Sequence, residues 1–200
     1  MKKQITALVL VLSFIGGLFS VSASAAGKYG SMPIYLGYGD VDYMADEILK
    51  QIPTAGKSKR EQIRAVYDWI IKNCTRYENE WDGTYHFDEN AVAAQTQSYI
   101  DKASAKVEAG TAVMRQDLES HFGFMPFYDS AAVAAGYAYD IMMRHNGNCL
   151  HFASLLTVLL GHLGFDCRII DGYFLNADGT KPIHKWNYVL VDGAYYWLDV

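Results

Sequence analysis

The sequence predicts an α+β protein in which a cysteine-bearing helix packs on an antiparallel β-sheet. Three stretches lead to this prediction: an amphipathic helical pattern after Ser58, an apolar helical run from Cys149, and two aromatic, β-branched stretches on either side of Asp192-Gly193. The chain has 200 residues, 51% of them hydrophobic, which is enough to bury a full core. This composition argues against a disordered chain.

The N-terminus has the pattern of a secretory signal peptide over residues 1–25. Two lysines precede an apolar run over residues 5–21, and Ala23-Ser24-Ala25 follows as a small-residue cleavage site. We therefore expect a secreted protein of the extracellular space or cell envelope, with no membrane span once the signal is removed. Losing the two lysines changes the net charge from −5 to −7. Such an acidic chain, without a basic patch, argues against a nucleic-acid partner.

Residues 26–57 are expected to form an N-terminal arm and a first helix. Asp40 or Asp42 is placed to cap this helix, which is expected to run to about Ile52, before Pro53.

Residues 58–200 are expected to form the main domain. Ser58 and Glu61 have the spacing of a capping box, in which each side chain satisfies a free backbone N–H at the helix start. Apolar residues then repeat at helical spacing at Ile63, Val66, Tyr67, Ile70, Ile71 and Cys74. Residues 78–129 show no such pattern and are predicted to be an insertion, either a cover over a functional face of the domain or a plain surface helix.

Cys149 is expected at the start of a helix. A preceding helix is predicted from Ala131 to Met143, capped by Asp129-Ser130, and Gly147 suits the left-handed conformation that ends helices. The next helix begins near Asn148 or Cys149, with a buried face at Ala153, Leu156, Leu159, Leu160 and Leu163. Unpaired N–H groups in its first turn would favour a thiolate.

The three cysteines leave at least one thiol unpaired within the chain. Cys74 and Cys167 lie in apolar surroundings, where a buried inert thiol is common, but a bridge between them stays open as an alternative.

The register of the C-terminal hairpin places two polar residues together. Residues 167–174, 184–191 and 194–200 read as strands. If Asp192-Gly193 forms a two-residue turn, paired positions sum to 385, and His184 and Asp199 emerge on one face as diagonal neighbours. A three-residue turn would put them on opposite faces.

Cys149, His184 and Asp199 have the identities needed for nucleophile, proton carrier and orienting group. The competing interpretation is a buried cysteine and two surface strand residues. A zinc site formed by His145, Cys149 and His151 matches no paired zinc spacing and has no evident fourth ligand. The sequence has no phosphate-binding glycine loop, and we predict no cofactor and no metal.

Several motifs resemble the transglutaminase-like superfamily of papain-fold cysteine enzymes. They are Gly147-x-Cys149-x-x-Phe152-Ala153-x-Leu155, Leu163-Gly164-Phe165, Arg168, Gly172, His184-x-Trp186-Asn187 and Trp197-Leu198-Asp199. The resemblance implies a papain-like core with Cys149 as nucleophile, His184 as general base and acid, and Asp199 as orienting group. It also implies that the Cys149 N–H donates to the oxyanion. The second donor stays open among Gln95, Gln97, Tyr137 and Tyr139.

The resemblance further implies acyl transfer from an amide or peptide bond through a thioester. Hydrolysis of a protein or peptide, cell-wall peptide included, is the first expectation. The alternatives are amine transfer to protein glutamine, which cross-links proteins, and a non-catalytic binding module of the cell envelope. The sequence does not indicate the oligomeric state. The chain stops one residue after Asp199, as expected of either a truncated C-terminus or a small sheet.

Overall fold

The computed structural model describes residues 32–76, 101–102, 104–114 and 131–200. The predicted signal peptide, most of the predicted insertion and the predicted Asp129-Ser130 cap lie outside these residues. The elements are β1 (Ile34–Tyr35), α1 (Gly39–Leu49), α2 (Lys59–Asn73), β2 (Thr75–Arg76), β3 (Val113–Met114), α3 (Ala131–Arg144), β4 (Asn146–Gly147), α4 (Cys149–His162), β5 (Cys167–Tyr173), β6 (Ile183–Val191) and β7 (Ala194–Leu198). Residues 101–102 and 104–108 are also helical.

The fold is the predicted mixture of helices with an antiparallel sheet. Strands β5, β6 and β7 form that sheet in chain order. Two short parallel bridges, β1 with β3 and β2 with β4, tie other parts of the chain together. Among the described residues, no helix combines the length and apolar character needed to cross a membrane.

The hairpin register is confirmed. Val191 lies opposite Ala194 and Asn187 opposite Leu198, as a two-residue turn requires. Asp192 and Gly193 have φ values of 51° and 82°, in keeping with a type I′ turn, which needs positive φ at both central residues. The paired ladder ends at Leu198, so Asp199 continues just beyond the last strand pair.

Helix α4 is the centre of the core. Every residue from Leu150 to His162 is buried, so the predicted single buried face was too narrow. The helix contacts α1, α2, α3, β5 and β6. Apolar residues occupy all sides of this helix, as expected for a helix that other elements surround.

The predicted capping box at Ser58 and Glu61 is confirmed. The Glu61 N–H donates to the Ser58 hydroxyl, and the Ser58 N–H donates to the Glu61 carboxylate. Helix α2 buries Ile63, Val66 and Ile70 on the face predicted for the core, whereas Ile71 is 53% exposed.

The predicted cap of α1 was wrong. Tyr38 occupies the N-cap position without a side-chain hydrogen bond, and the helix ends at Leu49 rather than near Ile52. The Asp42 carboxylate instead accepts from the backbone N–H groups of Leu36 and Gly37. Asp42 is only 1% exposed, because it faces the core from inside the first turn.

A buried histidine joins α1 to the C-terminal end of α4. His162 Nδ1 lies 2.7 Å from Asp46 Oδ1, and Nε2 lies 2.9 Å from Asp42 Oδ1. Tyr35 packs edge-on against the imidazole and also contacts the Lys106 ammonium at 2.9 Å. Burial alone would lower the pKa of His162, but its hydrogen bonds to Asp42 and Asp46 outweigh burial and raise that pKa.

We predict that His162→Gln lowers the free energy of unfolding by about 3 kcal/mol, because it leaves two aspartates without their buried cation. A raised folded pKa means that the contribution is fully present below the unfolded pKa of about 6.5 and is lost as the pH rises through the folded pKa. Urea unfolding over a pH series should therefore show a difference between variant and wild type that narrows towards alkaline pH.

The matched control is His145→Asn, which removes an exposed histidine from a left-handed position that asparagine tolerates. An equal loss of stability in the control, or a His162→Gln effect that grows with pH, would contradict this account.

Candidate active site

Cys149 is the first residue of α4, as predicted. The Asn148 side chain caps the helix by accepting from the N–H groups of Leu150, at 3.0 Å, and His151, at 3.4 Å. Within the part of the chain that the structure describes, no hydrogen bond occupies the Cys149 N–H. This group stays available for a developing negative charge beside the sulfur.

His184 and Asp199 meet as the hairpin register requires. His184 Nε2 lies 2.9 Å from both Asp199 carboxylate oxygens. The His184 side chain is 15% exposed, whereas that of Asp199 is 55% exposed. The carboxylate therefore fixes the imidazole from the solvent side and leaves Nδ1 free to face another group.

That other group is the Cys149 thiol, which lines the same cavity as His184 and interacts electrostatically with its side chain. Burial raises the pKa of Cys149, but its interactions with the His184 side chain and the Lys185 N–H more than compensate and hold that pKa below its usual value. Hydrogen bonds to Asp199 and the interaction with Cys149 raise the pKa of His184 to about 9, against the opposing effect of burial. The pair thus favours a thiolate beside an imidazolium.

Aromatic rings hold the imidazole on both sides. Trp186 stacks against His184 with ring centroids 5.8 Å apart, and Phe174 packs edge-on at 6.0 Å. The glycine opposite His184 makes this stacking fit, because a Cβ at Gly172 would lie 2.3 Å from the Trp186 ring.

The segment that carries Asp199 is attached to α2. The Tyr67 hydroxyl donates to the Asp199 carbonyl oxygen at 3.1 Å. Leu198 and Val200, on either side of Asp199, pack against the core. These contacts position the carboxylate beyond the end of the ladder.

A cavity of about 190 Å³ opens over the sulfur. Its lining residues are Ile71, Cys74, Arg76, Cys149, Phe152, His184 and Val200. Cys149 and His184 thus share one small cleft whose walls are mainly apolar, a common form for a small-substrate site.

The structure bears on three other expectations: the second oxyanion donor, a bridge between Cys74 and Cys167, and a metal site. Neither Tyr137 nor Tyr139 lines this cavity, and Gln95 and Gln97 lie outside the described residues. All three cysteines are free, so Cys74 and Cys167 form no bridge. Across the described ranges, no group of three or more histidine, cysteine or acidic residues is placed to hold a metal ion.

Sequence reasoning missed a buried polar network behind the cysteine. His151 Nε2 donates to Asp140 Oδ2 at 2.8 Å, and its Nδ1 lies 3.3 Å from the Asn148 N–H. Arg144 Nε forms an ion pair with Asp140 Oδ1 at 2.7 Å. Burial lowers the pKa of His151 and so favours the neutral ring. His151 accepts from the backbone N–H of the N-cap residue Asn148, the role that glutamate usually has in a capping box.

The same network explains why position 147 is glycine. The left-handed residue after α3 is His145, with φ of 57°, so the prediction that Gly147 adopts this conformation was wrong. A Cβ at position 147 would instead lie 2.4 Å from the His151 Cβ. Gly147 is needed for close approach.

We predict that iodoacetamide labels Cys149 in the folded protein much faster than Cys74 or Cys167. The reason is that the pKa of Cys149 is lowered, whereas burial raises the pKa of Cys74 to about 11, and Cys167 is 1% exposed. Peptide mass spectrometry of timed, quenched reactions measures all three rates, and His184→Gln should slow only the Cys149 rate. Equal rates at the three cysteines would rule out an activated Cys149.

We predict that Gly147→Ala lowers the free energy of unfolding by about 1–3 kcal/mol and slows Cys149 labelling, because the new methyl group displaces His151. The matched control is Gly136→Ala in α3, where a Cβ meets nothing within 4 Å. This control should stabilise the helix by about 0.5–1 kcal/mol. Thermal unfolding and labelling together measure both effects, and a Gly147→Ala protein as stable and reactive as wild type would be the contrary result.

Comparison with known proteins assigns the family. No curated protein matched the chain. A family model described as the transglutaminase-like superfamily matches residues 90–200, more than half of the chain. The match begins inside the predicted insertion and does not test the predicted domain limits, which stay predictions. The catalytic roles of Cys149, His184 and Asp199 also stay predictions. The superfamily usually contains cysteine-based enzymes, and the chain belongs to the transglutaminase-like superfamily.

Proposed function

We propose that the protein is a secreted cysteine peptidase or amidase that forms a thioester on Cys149. The single observation that carries the proposal is the position of His184, which shares a cavity with Cys149 and contacts both Asp199 carboxylate oxygens at 2.9 Å. Secretion is proposed from the signal-like residues 1–25.

In the first step, the Cys149 thiolate attacks the carbonyl carbon of an amide. The new carbon–sulfur bond forms as the carbonyl π electrons move to oxygen, and the Cys149 N–H donates to that oxyanion. The tetrahedral intermediate then collapses, the carbon–nitrogen bond breaks, and the leaving amine takes a proton from the His184 imidazolium. Asp199 keeps the imidazole oriented throughout.

In the second step, the neutral His184 takes a proton from water as the water attacks the thioester. Collapse releases a carboxylic acid and restores the thiolate beside the imidazolium. An amine in place of water would give transfer, the alternative function, through the same groups. A binding module on this fold would have no need of a cysteine with a lowered pKa beside an oriented histidine.

We predict that peptide-amide hydrolysis depends on pH in a bell shape. The acid limb reflects protonation of the thiolate, below the ordinary range of a thiol, and the alkaline limb reflects loss of the His184 proton near a pKa of about 9. Alkylation of Cys149 needs no proton donor and should show the acid limb alone. A peptide library with amine incorporation followed in parallel measures hydrolysis and transfer.

Cys149→Ala should abolish turnover, and Cys167→Ala is the matched control because it removes a buried thiol outside the cavity. Turnover that survives in Cys149→Ala would refute the proposal. Amine incorporation that outpaces hydrolysis would replace it with the transfer alternative.

A further inference from the structure

One arginine lies in the wall of the cavity that opens over the Cys149 sulfur. Arg76 lines it together with Cys149 and His184. The parallel bridge between β2 and β4 places Arg76 opposite Gly147, two residues before Cys149. Neighbouring strands lie about 4.8 Å apart, so the backbone of Arg76 is held close to the start of α4.

The Arg76 guanidinium differs from the other arginines that the structure describes. Four of them have a polar partner for the side chain: Arg60 with Tyr196, Arg64 with Asp68, Arg144 with Asp140 and Arg168 with Asp166. Among the described residues, Arg76 has no ion pair and no side-chain hydrogen bond. The Asp199 carboxylate, the acidic group of the site, uses both oxygens on His184.

The residues around Arg76 indicate which kind of anion its side chain would bind. Ile71, Phe152 and Val200 make the adjoining walls apolar. The chain as a whole is acidic, with a net charge of −5, so its overall field does not attract anions. A guanidinium beside apolar walls fits a carboxylate carried on an organic group, because its planar fork pairs with two carboxylate oxygens at once.

We propose that Arg76 binds a carboxylate of the substrate next to the carbonyl that Cys149 attacks. The preferred substrates are then peptides or amides with an acidic side chain or a free carboxylate beside the scissile bond. This inference rests on the proposed function and specifies its substrate class. Arg76 is exposed, so its guanidinium is accessible to a substrate carboxylate that enters the cavity.

A pair of alkylating reagents tests the charge preference without a known substrate. The Cys149 thiolate displaces iodide from either iodoacetate or iodoacetamide, forming a carbon–sulfur bond as the carbon–iodine bond breaks. The reagents differ mainly in the negative charge of iodoacetate. We expect Arg76→Met to lower the ratio of the iodoacetate rate to the iodoacetamide rate by roughly 3-fold or more, and Arg76→Lys to keep most of it.

The matched control is Lys57→Met. Lys57 lies just before the N-terminus of α2, whereas Arg76 lies just after its C-terminus, so the control removes one positive charge at the opposite end of the helix. That helix has 15 residues and is therefore roughly 22 Å long, so the control should leave the ratio unchanged.

A peptide pair tests the same preference in turnover. The two peptide amides differ only in having glutamate or glutamine beside the scissile bond. Wild type should hydrolyse the glutamate peptide with the higher kcat/KM. Arg76→Met should lower kcat/KM for the glutamate peptide by roughly 10- to 100-fold and leave the glutamine peptide nearly unchanged.

The outcomes separate this inference from the proposed function. An unchanged reagent ratio in Arg76→Met, or equal losses on both peptides, overturns the carboxylate site while a reactive Cys149 is retained. Equal losses would instead mean that Arg76 stabilises the oxyanion. An unreactive Cys149 in wild type overturns the proposed function and this inference with it.

Discussion

A helix buried on every side depends on its neighbours for polar contacts, and α4 has such contacts at three levels. At its start, His151 contacts Asp140 of α3. In its middle, Asn187 of β6 donates to the Ala153 carbonyl and the Thr157 hydroxyl at 2.9 Å each. At its end, His162 reaches α1 through two aspartates. Apolar packing alone would tolerate rotation of the helix, whereas these directional contacts fix which face meets which neighbour.

This arrangement also sets the position of the candidate nucleophile. Asn187 lies three residues beyond His184 on β6, so the contacts that align β6 with α4 also bring His184 into the cavity at the helix start. The two-residue turn then carries Asp199 to the same imidazole. Helix, strand and turn each supply one group, and their packing brings the three groups together.

The sequence predicted those features whose causes are local. The Ser58 capping box, the helix start at Cys149 and the hairpin register depend on residues within a few positions of one another, and the structure confirms all three. The meeting of His184 with Asp199 followed from the register, although the catalytic roles of both stay predictions.

The features that the sequence did not reveal depend on contacts between distant elements. Asp42 resembles a helix cap in sequence, but α4 supplies it with a buried histidine 120 positions later. Gly147 resembles a helix terminator, yet its role is to make room for His151. The place of Arg76 in the cavity depends on its bridge to β4, which no local pattern encodes.

The ionisation state of Cys149 tests the central claim most directly. Thiolate absorbance in the ultraviolet, measured over a pH series for wild type and for Cys149→Ala, isolates this cysteine by difference. The account predicts that the Cys149 thiolate signal appears with a midpoint below the ordinary thiol pKa, because the pKa of Cys149 is lowered. A difference signal that appears only near the ordinary thiol pKa of about 8.5 would contradict it.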